Sequence, residues 1–137
     1  MNRSLMRSIA GLTIVLVGLS GQSKPFRLEE ATVTEIQAAY KSGRLTSHQL
    51  VQMYLDRIRE FDKTGPKLNS IITVNPKALE EADRLDAAFK KSGLVGPLHG
   101  VPVILKDMID AQGMPTTEGS VVLKNFYRIR MRSSWSG

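Results

Sequence analysis

Residues 96–110 read GPLHGVPVILKDMID, and this stretch decides the fold. Gly96-Pro97 opens it, Gly100 and Pro102 punctuate it, and Val101, Val103, Ile104 and Leu105 form an apolar run that ends abruptly at Lys106. A short apolar run bounded by turn residues predicts a strand buried on both faces over residues 101–105. Lysine is almost never fully buried without a partner. Lys106 is therefore either a strand-end side chain snorkelling to solvent or a lysine held neutral in an apolar pocket, available as a base.

Working back from this stretch, Asn75-Pro76 predicts a helix start, with Asn as cap and Pro in the first turn. Ala78, Leu79, Ala82, Leu85, Ala88 and Phe89 follow at helical spacing, and Gly93 suits the stop. Glu80, Glu81, Asp83 and Asp86 read most simply as its solvated face. Before it, NSIITV at 69–74 is rich in β-branched residues and predicts a short strand, and residues 63–66, KTGP, predict a turn. Two capping signals stand further upstream. Thr32 precedes Glu35 by three residues, and Thr46 precedes Gln49 by three. Ile36, Ala39 and Tyr40 continue the first. Leu50, Val51, Tyr54, Leu55, Ile58 and Phe61 continue the second.

The order helix, helix, strand, helix, strand is α/β. Two strands cannot form a sheet that covers three helices. The pattern is thus expected to be the front of a larger domain, with poor stability and exposed apolar helix faces when taken alone.

Composition removes several function classes. The 137 residues are 42% hydrophobic and 23% charged, as in an ordinary globular protein. The formal charge of +6 is carried by the ends. Residues 1–25 hold Arg3, Arg7 and Lys24 without an acid, and residues 124–137 hold Lys124, Arg128, Arg130 and Arg132 without an acid. The span between them carries 12 bases and 13 acids, so its net charge is −1, and no nucleic-acid partner is expected. Cysteine is absent, which removes disulfides, thiolate metal sites and a cysteine nucleophile. His48 and His99 are the only histidines, so neither a metal nor another cofactor is expected.

The two ends read separately. Residues 1–23, MNRSLMRSIAGLTIVLVGLSGQS, have a basic start, an apolar core of about a dozen residues and small residues near a cleavage point. This is the layout of a secretory signal peptide. It predicts export, to a periplasm or the exterior, with membrane contact only through that segment. An uncleaved signal would act as an anchor. Residues 128–137, RIRMRSSWSG, lack period, cap and acid. A permitted set of codons for them, shifted by one base, encodes PDPDAFVVER, a more natural continuation. The tail therefore reads either as a disordered basic tail or as an aberrant end produced by a frameshift.

The ordered set SGRLTSHQLVQMYLDRIREFD, LNSIITVNPKALEEADRLD and GPLHGVPVILKDMIDAQGMPTTEGS resembles the front of the amidase signature family, from about Ala31 to Tyr127. The resemblance implies the N-terminal portion, residues 24–127, of a fold with a mixed sheet covered by helices. It implies hydrolysis of a non-peptide amide bond in a small-molecule substrate, without metal or organic cofactor. The implied site is a Ser–Ser–Lys triad: a lysine deprotonates a bridging serine, which relays the proton from a nucleophilic serine. Lys106 matches the lysine. Both serines belong to a Gly/Ser-rich segment that residues 1–137 do not contain, so this chain is expected to be inactive. Ser120 matches a structural motif, and Ser133, Ser134 and Ser136 lack the glycine-rich setting. A non-catalytic remnant or interaction piece is the alternative. So is the glutamine-hydrolysing subunit of the transfer-RNA-dependent amidotransferase, which the signal-like start argues against. For the remaining polar residues, His99 suits a turn or hydrogen-bonding role and His48 a solvent-facing helix start; Asp107 and Asp110 either brace the loop after Lys106, the favoured role, or tune Lys106 through charge.

Overall fold

A computed structural model describes residues 25–127 of the chain; the signal and tail expectations lie outside them. Three helices dominate: α1 Val33–Lys41, α2 Ser47–Arg57 and α3 Ala78–Ser92. Both capping boxes form. Thr32 accepts from the Glu35 amide at 3.3 Å while the Glu35 carboxylate accepts from the Thr32 amide at 2.8 Å. The Thr46 and Gln49 pair repeats this at 3.1 and 2.9 Å. Each box satisfies two amides that a helix start leaves without intrahelical partners.

The expected stripe of α1 is buried: Ile36, Ala39 and Tyr40 join Leu28, Leu45 and Leu50 in one core. Phe26, Met53, Tyr54, Phe89, Leu94 and Val101 pack around that cluster. Helix α2 does not stop at Arg57. It widens into a π-helical segment, Ile58–Thr64, where the Gly65 amide reaches back to the Glu60 carbonyl at 2.8 Å. The helix thus runs into the expected turn at 63–66, and Phe61 is exposed beneath the Arg57 guanidinium, 5.1 Å from its ring centroid. Helix α3 starts two residues later than Asn75-Pro76 suggested. Asn75 still organises the entry, its side-chain oxygen accepting from the Lys77 amide at 2.9 Å.

The two expected strands are absent among the described residues. At 69–71 the backbone donors are taken locally, with the Asn69 amide on the Asp62 carbonyl at 3.1 Å. Asp62 is buried, and its carboxylate accepts from the Ser70 amide at 2.6 Å, the Ser70 hydroxyl at 2.7 Å and the Ile71 amide at 3.3 Å. Asn69 turns through φ +50°, which breaks any ladder there. Residues 101–105 are irregular, and they are not buried on both faces: Val103 is 61% exposed and Ile104 81%. A strand exists only as part of a ladder, and here no neighbouring chain supplies one. The exposed apolar surface lies chiefly outside the three helices, on Leu68, Ile72, Val95, Leu98, residues 103–105, Met108, Val121 and Val122 among others, rather than on the helices as expected.

Candidate active site

The path to Lys106 begins where the core ends. His99 is buried, its ring centroid 6.1 Å from that of Tyr40 on α1 and 5.8 Å from that of Phe89 on α3. Its Nδ1 accepts from the Val95 amide at 3.2 Å. An accepting Nδ1 places the proton of a neutral ring on Nε2. The loop role expected for His99 is the one it has.

Gly100, the next residue, is held on two sides. The Tyr40 hydroxyl donates to its carbonyl at 3.1 Å, and Gln37 Nε2 donates to the Pro97 carbonyl at 2.7 Å. Gly100 has φ +67°, and a Cβ there would stand 2.9 Å from both the Ser47 Cβ and the Tyr40 hydroxyl. Only glycine lets the chain pass this close to α1 and α2. Burial pushes the Tyr40 phenol up to about 12, so it remains a donor. Val101 packs on the core, and the chain then runs outward to Lys106.

Lys106 itself is exposed, not the buried base expected of it. The neighbours that could bury it, Ile104 and Leu105, are themselves 81% and 49% exposed. What is well defined is the backbone around it. The Ile109 amide closes a turn on the Lys106 carbonyl at 2.9 Å. The Asp107 carboxylate accepts from the Thr117 hydroxyl, from the Thr117 amide at 3.2 Å and from the Gly119 amide at 3.1 Å. The Thr117 hydroxyl first, and the Gly119 amide next, hold that carboxyl below its usual range. Asp110 accepts from the Thr116 hydroxyl at 2.9 Å. Both carboxylates thus brace the loop, as expected. Ser120 lies in the same loop, its amide donating to the Thr117 carbonyl at 2.8 Å.

Three residues read as solvent-facing are engaged. His48 Nδ1 lies 2.7 Å from the Asp83 carboxylate, linking α2 to α3. Asp86 is no member of a solvated face. It accepts from the Ser47 amide at 2.7 Å and the His48 amide at 3.1 Å, capping α2 from α3. Burial pushes its carboxyl up, but these amides and the nearby hydroxyls outweigh that and leave it lowered. The signal was present: Ala82, Asp86 and Phe89 share the spacing of the buried stripe. Among the described residues no group of side chains could hold a metal, and no helix is long and apolar enough to cross a membrane.

The stretch that leads from the buried His99-Gly100 corner to Lys106 and on through the carboxylate-braced Thr116-Thr117 loop lies inside a region that matches a known family. The Amidase family profile matches residues 49–129. The chain belongs to that family. It is 40% identical over 116 residues to a probable amidase of Arabidopsis thaliana, covering 80% of this chain and 22% of that protein. It is 42% identical over 100 residues to a glutamyl-tRNA(Gln) amidotransferase subunit from Halorhodospira halophila, covering 72% and 20%. The structure resembles native peptide amidase from Stenotrophomonas maltophilia with a TM-score of 0.70 and 44% identity, over 72% of this chain and 20% of that one. The chain spans about a fifth of the length of the relatives it matches.

Proposed function

We propose that these residues form the front of an exported amide hydrolase in which Lys106 is the proton-accepting lysine of a Ser–Ser–Lys triad. In this reading residues 1–23 direct export, residues 24–127 begin the amidase domain, and residues 101–105 join a mixed sheet completed by further chain. Membrane contact is through the signal alone, and neither metal nor nucleic acid takes part. The observation that carries the reading is the position of Lys106 inside the matched region 49–129, where the apolar run 101–105 meets the braced loop.

The chemistry follows from that assignment. Neutral Lys106 takes a proton from a bridging serine, which takes one from the nucleophilic serine as that oxygen attacks the amide carbonyl. The carbon–nitrogen bond breaks, the amine leaves with the relayed proton, and water releases the acid from the acyl-enzyme. Covering residues 103–105 with neighbouring strands would desolvate Lys106 and lower its pKa toward a useful range. Residues 1–137 alone supply no bridging or nucleophilic serine, so this chain by itself is inactive in this reading.

Sequencing the gene beyond the codon for Tyr127 and assaying the polypeptides it encodes tests the proposal. A Gly/Ser-rich segment in any frame, and amide hydrolysis that Lys106→Ala abolishes, are expected. Turnover of a simple amide by residues 24–137 alone would overturn it. The likeness to a glutamyl-tRNA(Gln) amidotransferase favours a second reading, glutamine hydrolysis. N-terminal sequencing of exported protein decides against it if residues 1–23 are removed.

A further inference from the structure

The loop after Lys106 is built around one carboxylate. Asp107 collects three donors from residues ten and twelve positions away, while its own carbonyl accepts from the Glu118 amide at 3.4 Å. Glu118 and Gly119 are consecutive left-handed residues, at φ +51° and +75°. That conformation is unfavourable for a glutamate. It aims the Gly119 amide at the Asp107 carboxylate, in the manner of an anion-binding nest. Thr116 and Thr117 are buried beneath the turn, and the Lys106 carbonyl is tied to Ile109 on its other side. The lysine side chain is exposed, while its main chain is bonded to Ile109 on one side and adjoins the Asp107 clamp on the other.

We infer that Asp107 is a positioning residue: its carboxylate clamps the 117–119 turn and thereby fixes the main chain from which Lys106 projects. The inference rests on the reading of Lys106 as the triad lysine. It adds that the acid beside the lysine acts through backbone geometry and not as a proton carrier. A free-hanging lysine would have to be ordered anew in each catalytic cycle, whereas a clamped backbone leaves only the side-chain torsions to be selected.

Nitrogen-15 relaxation and amide exchange on the full chain test it, with Asp107→Ala, Asp107→Asn and Thr117→Val as variants and far-ultraviolet circular dichroism as the control for folding. In the parent chain the Lys106 amide is expected to be rigid, with an order parameter near about 0.85. Asp107→Ala should lower it below about 0.6 and speed exchange of the Thr117 and Gly119 amides about tenfold or more. Asp107→Asn and Thr117→Val should do so in part. An acid titration of the parent chain gives the same information without substitution: the Lys106, Thr117 and Gly119 amides should shift together with the Asp107 carboxyl carbon. Loss of protection at Thr117 and Gly119 with Lys106 unmoved would overturn the inference. So would a parent chain in which none of these amides is protected. A failed triad reading would show differently, as amide hydrolysis that survives Lys106→Ala in the complete polypeptide.

Discussion

The Tyr40 hydroxyl donates to the Gly100 carbonyl across 60 residues of sequence, at 3.1 Å and away from solvent. This bond ties the C-terminal turn of α1 to the loop that launches the chain toward Lys106. Removing the donor with Tyr40→Phe leaves a buried carbonyl without a partner, which costs about 1–3 kcal/mol. The His99 and Val101 amides, which close the turns of this loop, should then exchange roughly 5- to 150-fold faster. Unchanged exchange at both would show that the bond does not anchor the loop.

Gly100→Ala should be worse than Tyr40→Phe. It adds a left-handed alanine, about 1–3 kcal/mol of strain, to a Cβ only 2.9 Å from the Ser47 Cβ and the Tyr40 hydroxyl. The Ser47 Cβ is fixed to the α2 backbone, and the Tyr40 hydroxyl is held by burial and by its bond to the Gly100 carbonyl. Gly43→Ala is the control, since its φ of +69° imposes the same backbone strain while a Cβ there meets nothing within 4 Å. Equal destabilisation of the two variants, read by amide exchange, would remove the steric part of the argument.

Acid should loosen the α2–α3 junction. The Asp86 carboxyl is lowered in the folded chain relative to its ordinary value of 3.8. Its contribution is therefore fully present above the unfolded value and is lost as pH falls through the folded one. Asp86→Ala should remove about 1 kcal/mol, as loss of a helix cap does, and should flatten the acid dependence of Ser47 and His48 amide exchange. An acid dependence that survives in the variant would assign the effect to another carboxylate.

Asp62 gives a second acid-sensitive point. The Lys63 ammonium, 2.8 Å away, and then the Ser70 hydroxyl hold its carboxyl well below the usual carboxylate range. The same sign applies: the clamp on residues 70 and 71 persists through mildly acidic pH and opens only in strong acid. Asp62→Asn should release the Ser70 and Ile71 amides to exchange near neutral pH and leave α1 protected. Protection of Ser70 retained in that variant would refute the clamp.

In a complete polypeptide, Lys106→Ala should reduce kcat for a simple amide by roughly a thousandfold or more, because members of such a relay fail as a unit. Steady-state kinetics on parent and variant decide this, and a variant within tenfold of its parent would sink the assignment.

What could be read from the residues was local. Thr32 with Glu35, and Thr46 with Gln49, carry their instruction within four positions, and both boxes form. The α1 stripe and the stops at Gly43 and Gly93 are similarly short-range. What could not be read depends on partners far along the chain. Nothing near Asp62 announces that it will take the donors of Ser70 and Ile71, and those donors are what a strand at 69–74 needed. Asp86 looked like one acid among four until α2 supplied its partners. A strand at 101–105 and a covered Lys106 would be ladder and packing properties, and the described residues 25–127 supply partners for neither. The family resemblance was legible because it rests on the ordered residues themselves.

Asp86 stands 39 residues beyond the Ser47 amide it caps. During synthesis at about 5–20 residues per second, α2 emerges some two to eight seconds before that carboxylate does. Its own box satisfies the Thr46 and Gln49 amides meanwhile, but the Ser47 and His48 amides wait. Helix α2 is therefore finished by a residue from a later part of the message. The interval between the two is a window in which a nascent chain has a half-capped helix to offer to a chaperone or a protease.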